Sequence, residues 1–222
     1  MIRELIDDAT SPQVRGYLHL PAEGNSDGLV LTHGAGANCQ SRLLVALSDA
    51  FAKAGFTVLR CDLPFRQQRP HGPPFPRSAE KDRAGLRRAV EVMKKSVTGR
   101  VFLGGHSYGG RQATLLEAEE PLVAGLLLLA YPLHPPRKPE QLRTAHFPKL
   151  TAPALFVHGS RDPFGLQEEM ESALKLIPAA HKLLDVTGAG HELLDRKAGD
   201  GLPARIVAAF EGFFAGSCGE DT

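Results

Sequence analysis

Apolar positions along this chain alternate between two rhythms. Short runs such as Leu29-Val-Leu-Thr32, Phe56–Arg60, Val101–Leu103, Leu126–Leu129 and Ala154–Val157 are almost continuously apolar. Continuous apolarity is the pattern of parallel strands buried on both faces. Between them the period lengthens to that of a helix. In Ser41–Ala54 the apolar residues are Leu43, Leu44, Leu47, Ala50, Phe51 and Ala54, and Gly55 stops the segment. The same spacing returns at Leu86, Ala89, Val90 and Met93, in Arg111–Glu119, in Leu166–Ile177 and in Ala204–Phe214. The opening residues read as a hairpin, Ile2–Ile6 and Val14–Leu20, turning near Ser11-Pro12, and a further strand lies near His181–Val186. Proline-rich stretches at 63–77 and 131–153 read as ordered loops. The alternation predicts an α/β fold, a mostly parallel twisted sheet of seven or eight strands with helices on both faces. A length of 222 residues suits one domain spanning 1–222.

Charge narrows the function. With 26 basic and 25 acidic residues the balance is near zero. Neither nucleic acid nor an anionic membrane is therefore expected as a partner. Asp7, Asp8 and Glu4 stand where a signal peptide needs an apolar stretch, and Leu122–Leu133 is too short to span a bilayer. Cys39, Cys61 and Cys218 cannot all pair within the chain, and their spacing matches no metal site. These features predict a cytoplasmic protein with free thiols.

The chemistry concentrates in Phe102-Leu-Gly-Gly-His-Ser-Tyr-Gly-Gly-Arg111. This is a G-x-S-x-G element between a predicted strand and a predicted helix, the context of a sharp turn that exposes a serine hydroxyl at a sheet edge. Glycines two residues either side leave room for the neighbouring strand and the helix start. A serine needs a base, and the base an orienting acid. His191, in Gly188-Ala-Gly-His191, follows the last predicted strand, and Asp162, in His158-Gly-Ser-Arg-Asp162, follows the one before. The order Ser107, Asp162, His191 is that of a Ser-His-Asp hydrolase triad. Each also has a plainer reading: Ser107 as a helix N-cap, Asp162 as a turn former before Pro163, His191 as a polar loop residue. His158 is the second choice of base, and Asp185 and Asp195 are the competing acids.

An oxyanion needs two backbone donors. Tyr108, at the helix start, is one candidate, and Ala35 in His33-Gly-Ala-Gly36 the other, with Gly36 as its alternative. Arg66, Arg69, His71 and Arg77 crowd the loop after Phe56–Arg60, and Arg111 lies one helical turn beyond Ser107. Together they are candidates for holding an anionic part of a substrate. Solvated arginines, or ion pairs with Asp62 and Glu80, are the competing reading. Cys39 and Cys61 read as small core residues without a catalytic role.

On these segments the chain resembles a compact, lid-poor branch of the α/β-hydrolase superfamily. That branch includes bacterial hydrolases known from sequence and the testis-expressed and chromatin-complex-subunit proteins of animals. The resemblance is carried by His33-Gly-Ala-Gly-Ala37, Asp62-Leu-Pro-Phe65, Gly104–Arg111, Tyr131-Pro-Leu-His-Pro-Pro136 with Leu142-Arg-Thr144, and Gly159–Gly165. It extends more distantly to dienelactone-hydrolase-like enzymes, whose nucleophile is typically cysteine where this chain has Ser107. It implies the eight-stranded hydrolase fold, the Ser107–His191–Asp162 triad, no cofactor or metal, and a shallow site that suits a small-molecule acyl substrate. The implied activity is carboxylesterase-like, with thioesterase second. The rival from another class is a non-catalytic interaction module on the same scaffold.

Overall fold

The computed structural model describes residues 1–24, 26–194 and 201–216. Its eight strands are β1 (Ile2–Asp7), β2 (Val14–His19), β3 (Gly28–Thr32), β4 (Thr57–Cys61), β5 (Val101–His106), β6 (Gly125–Leu129), β7 (Ala154–Gly159) and β8 (His181–Val186). They form one sheet in the order β1-β2-β4-β3-β5-β6-β7-β8. β1 and β2 pair antiparallel, Ile2 opposite His19 and Asp7 opposite Val14, and β2 joins β4 antiparallel. Every later pairing is parallel. The result is a mostly parallel α/β sheet, as the two rhythms predict, with the eight strands that the resemblance implies.

The helices are α1 (Arg42–Lys53), α2 (Pro64–Gln68), α3 (Ala79–Ser96), α4 (Tyr108–Glu119), α5 (Gln167–Leu174) and α6 (Leu202–Gly216). Burial explains the strand composition. All residues of β3, β4, β5, β6 and β7 are buried, because helices cover both faces. Val30, Leu103 and Leu128 pack on Leu86, Val90, Leu116 and Met170 from α3, α4 and α5. Leu29, Leu31 and Phe102 face the opposite core with Leu44, Leu47, Phe51, Phe210 and Phe214 from α1 and α6. There, Phe51, Phe56, Phe102 and Phe210 meet edge-on at centroid distances of 4.9–5.7 Å.

α2 lies within the 63–77 stretch whose prolines predict a loop. It begins with Pro64 at its first position, where a missing N–H costs nothing, and is only five residues long. Among the described residues, no helix is long and apolar enough to cross a membrane.

The topology fixes where a site can form. After β3 the chain crosses to β4 on one side and later to β5 on the other, so the strand order reverses between β3 and β5. In an open parallel sheet the carboxyl ends at such a reversal diverge into a crevice.

Candidate active site

Ser107 occupies the single residue between β5 and α4, at φ 51° and ψ −114°. That is a left-handed conformation that side chains other than glycine rarely adopt. The flanking hydrogen bonds hold it: Ser107 N–H donates to Leu129 O at 2.8 Å, and Arg111 N–H to Ser107 O at 3.0 Å. The neighbouring glycines are required by space. A Cβ on Gly105 would lie 2.7 Å from the backbone of Gly109 and Gly110, and one on Gly109 would lie 2.6 Å from His33 O. The turn therefore presses α4 against the ends of β3 and β5 and leaves the serine hydroxyl at the crevice.

The structure brings His191 and Asp162 to that hydroxyl. His191 Nε2 lies 2.7 Å from Ser107 Oγ, and His191 Nδ1 lies 2.8 Å from Asp162 Oδ2. With Nδ1–H donating to the carboxylate, Nε2 is free to accept the serine proton. Asp162 is fully buried three residues beyond β7, and its Oδ1 accepts the Phe164 N–H at 2.9 Å. His191, five residues beyond β8, is held from two sides. The Phe164 ring lies on its imidazole at 4.2 Å between centroids, and His106 Nε2–H donates to its carbonyl at 2.8 Å. Burial holds the His106 pKa down, which keeps that ring a neutral donor. Bare backbone at Gly159 lets the two loops meet, since a Cβ there would lie 2.5 Å from Ala189 O.

The other candidates for base and acid are occupied elsewhere. His158 is buried, bonded through Nε2 to Gly165 O at 2.7 Å, and does not line the cleft. The Asp185 carboxylate takes the Thr187 hydroxyl at 2.9 Å. Asp195, like Cys218, lies outside the described residues.

The loop after β3 is the second wall. Tyr108 N–H, first in α4, has no intrahelical acceptor, and the amides of Ala35 and Gly36 donate to nothing among the described residues. Two buried side chains set the orientation of this loop. Leu63 N–H donates to His33 Nε2 at 3.1 Å, so the proton sits on Nδ1 and is donated to Gly34 O at 2.8 Å. Burial lowers the His33 pKa to about 4, in keeping with a neutral ring. Arg66 Nη2 donates to Ala35 O at 2.7 Å and Arg66 Nε to Ala37 O at 2.7 Å. In a trans peptide the N–H points opposite to its C=O. These bonds therefore aim the Ala35 and Gly36 amides away from His33 and Arg66. Both candidates for the second donor remain in place.

Arg66 itself corrects the sequence reading. It is 5% exposed, and further donors go to Arg69 O and Gly72 O, so the guanidinium is turned onto backbone carbonyls and away from a substrate. Arg69 lies over the Phe75 ring and bonds Pro73 O, Arg77 lies over the same ring, and His71 is exposed. None of these four lines the cleft. Arg111 does. The cleft measures about 580 Å³, within the range of small-molecule sites, and is also lined by Pro132, Arg143, Phe164 and Glu192, which sequence reasoning missed. Cys39 and Cys61 are buried, and burial pushes both thiols up, Cys39 to about 12, leaving no thiolate to react. Among the described residues, no three His, Cys, Asp or Glu side chains are placed to hold a metal ion.

The sequence model of one family, described as an alpha/beta hydrolase domain, matches residues 25–209. Among solved structures, a dienelactone hydrolase from Anabaena variabilis is 18% identical, with TM-score 0.73 over 97% of each chain. Est1E from Butyrivibrio proteoclasticus is 18% identical, with TM-score 0.75 over 96% of this chain and 99% of its own, and another of its structures holds ferulic acid. A serine hydrolase without lid from Xanthomonas campestris is 17% identical, with TM-score 0.73 over 94% of each chain. At such identities the likeness is one of fold.

Proposed function

The chain belongs to the alpha/beta hydrolase domain family, and from that premise we propose that it is a serine hydrolase cleaving small acyl esters through an acyl-enzyme. One observation carries the reading: the unbroken relay from Ser107 Oγ to His191 Nε2 to Asp162 Oδ2, with links of 2.7 and 2.8 Å. In this reading Ser107 Oγ attacks the ester carbonyl carbon while its proton passes to His191 Nε2. The negative charge that develops on the carbonyl oxygen falls to the Tyr108 amide and to that of Ala35 or Gly36. When the tetrahedral intermediate collapses, the bond to the alkoxy oxygen breaks and that oxygen takes the proton from Nε2. Water then attacks the acyl carbon, gives a proton to Nε2, and the acid leaves as Ser107 recovers its hydrogen. Asp162 orients the ring through Nδ1 and stabilises the imidazolium.

Substrate size follows from the shape of the cleft. The β6–β7 connection reaches it only through Pro132 and Arg143. No separate lid is built there to bury a long acyl chain. The esterase and dienelactone hydrolase likenesses are compatible with such a substrate. A series of p-nitrophenyl esters from acetate to dodecanoate tests this. The expected result is turnover that is highest for short acyl chains and absent in Ser107→Ala. Cleavage confined to the longest chains, or surviving in Ser107→Ala, would refute the assignment. A folded protein that cleaves none of them would support the interaction-module reading.

A further inference from the structure

Two guanidiniums in the Ser107 cleft are not used by that chemistry. Four arginines outside the cleft pair with acids, Arg83 with Glu119, Arg87 with Glu120, Arg88 with Asp7 and Arg100 with Asp27, at 2.8–3.0 Å, and buried Arg66 is turned onto backbone carbonyls. Arg111 and Arg143 line the cleft, and neither has a carboxylate partner among the described residues. The Arg111 Nε is buried and meets no acceptor. The Arg143 fork makes one long contact, Nη1 to Pro132 O at 3.4 Å. The backbone of Arg143, by contrast, is firmly placed. Tyr131 O–H donates to Arg143 O at 2.7 Å and Arg143 N–H to Leu133 O at 2.8 Å. The Tyr131–Thr144 segment, singled out by its sequence, thus works as a mount that carries an uncommitted arginine to the cleft opposite α4.

Among the described residues, no carboxylate pairs with either guanidinium. Burial, and then the nearby Arg111, lowers the Arg143 pKa, so the two cations oppose each other. His146, against the same turn of α4 through Thr114 Oγ1 at 2.8 Å, is held to a pKa of about 4 by burial and by Arg111, and adds no charge at neutral pH. Burial pushes the Tyr131 phenol up, so it too stays neutral. Among the described residues the one carboxylate lining the cleft is Glu192, which is exposed and follows His191. Two part-buried like charges with no partner oppose folding, and the deficit is relieved by an anion from outside. Planar guanidinium forks match a carboxylate through paired N–H donors.

We propose that Arg111 and Arg143 form a subsite for a carboxylate on the substrate, so that the ester this protein cleaves is one bearing a second, ionised acid group. The proposal rests on Ser107 being the reacting centre, and its test separates the two. Ser107→Ala protein is titrated by calorimetry with monomethyl esters of the dicarboxylic acids from succinic to suberic, each beside its uncharged dimethyl ester. At least one half-ester is expected to bind about tenfold or more tighter than its diester, and more weakly as salt is raised. Adding Arg143→Gln or Arg111→Gln removes that preference, with a loss of roughly 10–100-fold in half-ester affinity. Arg143→Lys retains part of it, and Arg87→Gln, distant from the cleft, leaves it intact. Half-esters and diesters binding alike throughout the series, or a preference that survives both glutamine variants, would overturn the subsite. Turnover by the wild-type protein reports on the hydrolase reading independently. Cleavage without charge preference keeps the hydrolase and removes the subsite, whereas arginine-dependent binding without cleavage keeps the subsite and removes the hydrolase.

Discussion

Replacing Arg66 by methionine separates the support of the proposed oxyanion loop from the chemistry assigned to it. The substitution keeps most of the apolar stem and deletes four donated bonds, to Ala35 O and Ala37 O at 2.7 Å, Gly72 O at 3.0 Å and Arg69 O at 3.1 Å. At about 1.5–3 kcal/mol for a bond from a charged donor, a simple sum overstates the loss. Ala35 and Ala37 are part-exposed, so water reclaims their carbonyls, and bonds within one network are not additive. A net destabilisation of roughly 2–4 kcal/mol remains, which for a chain of this size lowers Tm by about 4–16 °C. The larger consequence is catalytic. Without Arg66 the Ala35–Gly36 peptide is free to rotate, and loss of one aligned oxyanion donor costs about 10²–10³ in kcat. Since His33 still holds Gly34 O, a fall of ~10–100-fold in kcat with little change in KM is expected. The assay is steady-state hydrolysis of a short p-nitrophenyl ester well below the variant's Tm, with Arg66→Lys as an intermediate case. If kcat stays within about threefold of wild type although Tm has fallen as stated, Arg66 does not position this loop.

Three further outcomes follow from the same contacts. Asp162→Asn keeps the packing but favours the wrong imidazole tautomer, and is expected to lower kcat by about 10³–10⁴ without loss of fold, measured by ester hydrolysis and circular dichroism. Ser107→Gly relieves the left-handed backbone that Ser107→Ala retains, so the glycine variant should be the more stable of these two inactive proteins by about 1 kcal/mol in urea denaturation. His33 and His146, held to about 4 against the ordinary 6.5, stay neutral in the folded chain while their unfolded counterparts take up protons. Stability is then complete above about pH 6.5 and declines as pH falls toward 4, with each histidine contributing at most ~1.4 kcal/mol per pH unit. Urea midpoints against pH should show that slope, and His146→Gln should make it shallower.

The fold was legible because burial on both faces writes itself into the strands: the apolar runs at 29–32, 101–103 and 126–129 fall inside β3, β5 and β6. The turn at Ser107 was legible for a local reason, two glycines whose bare backbones meet Gly109, Gly110 and His33. The proximity of Ser107, Asp162 and His191 was inferable from chain order, since parallel strands deliver their following loops to one edge. What escaped depends on long-range packing. Arg66 looks in sequence like any surface arginine, and only the fold shows its donors turned onto carbonyls 29 and 31 residues away. Arg143 is brought to the cleft by a bond from Tyr131, twelve residues earlier, in a loop without periodicity. α2 was hidden by the prolines around it, although Pro64 at its first position was the available signal.

Whether Ser107 is an activated nucleophile is decided by covalent labelling. The folded protein is treated with a fluorophosphonate probe, beside Ser107→Ala and His191→Ala, and the modified residue is located by mass spectrometry. A single label on Ser107 is expected, absent in Ser107→Ala and strongly slowed in His191→Ala. Folded wild-type protein that takes up no probe, or takes it up at another residue, would contradict it.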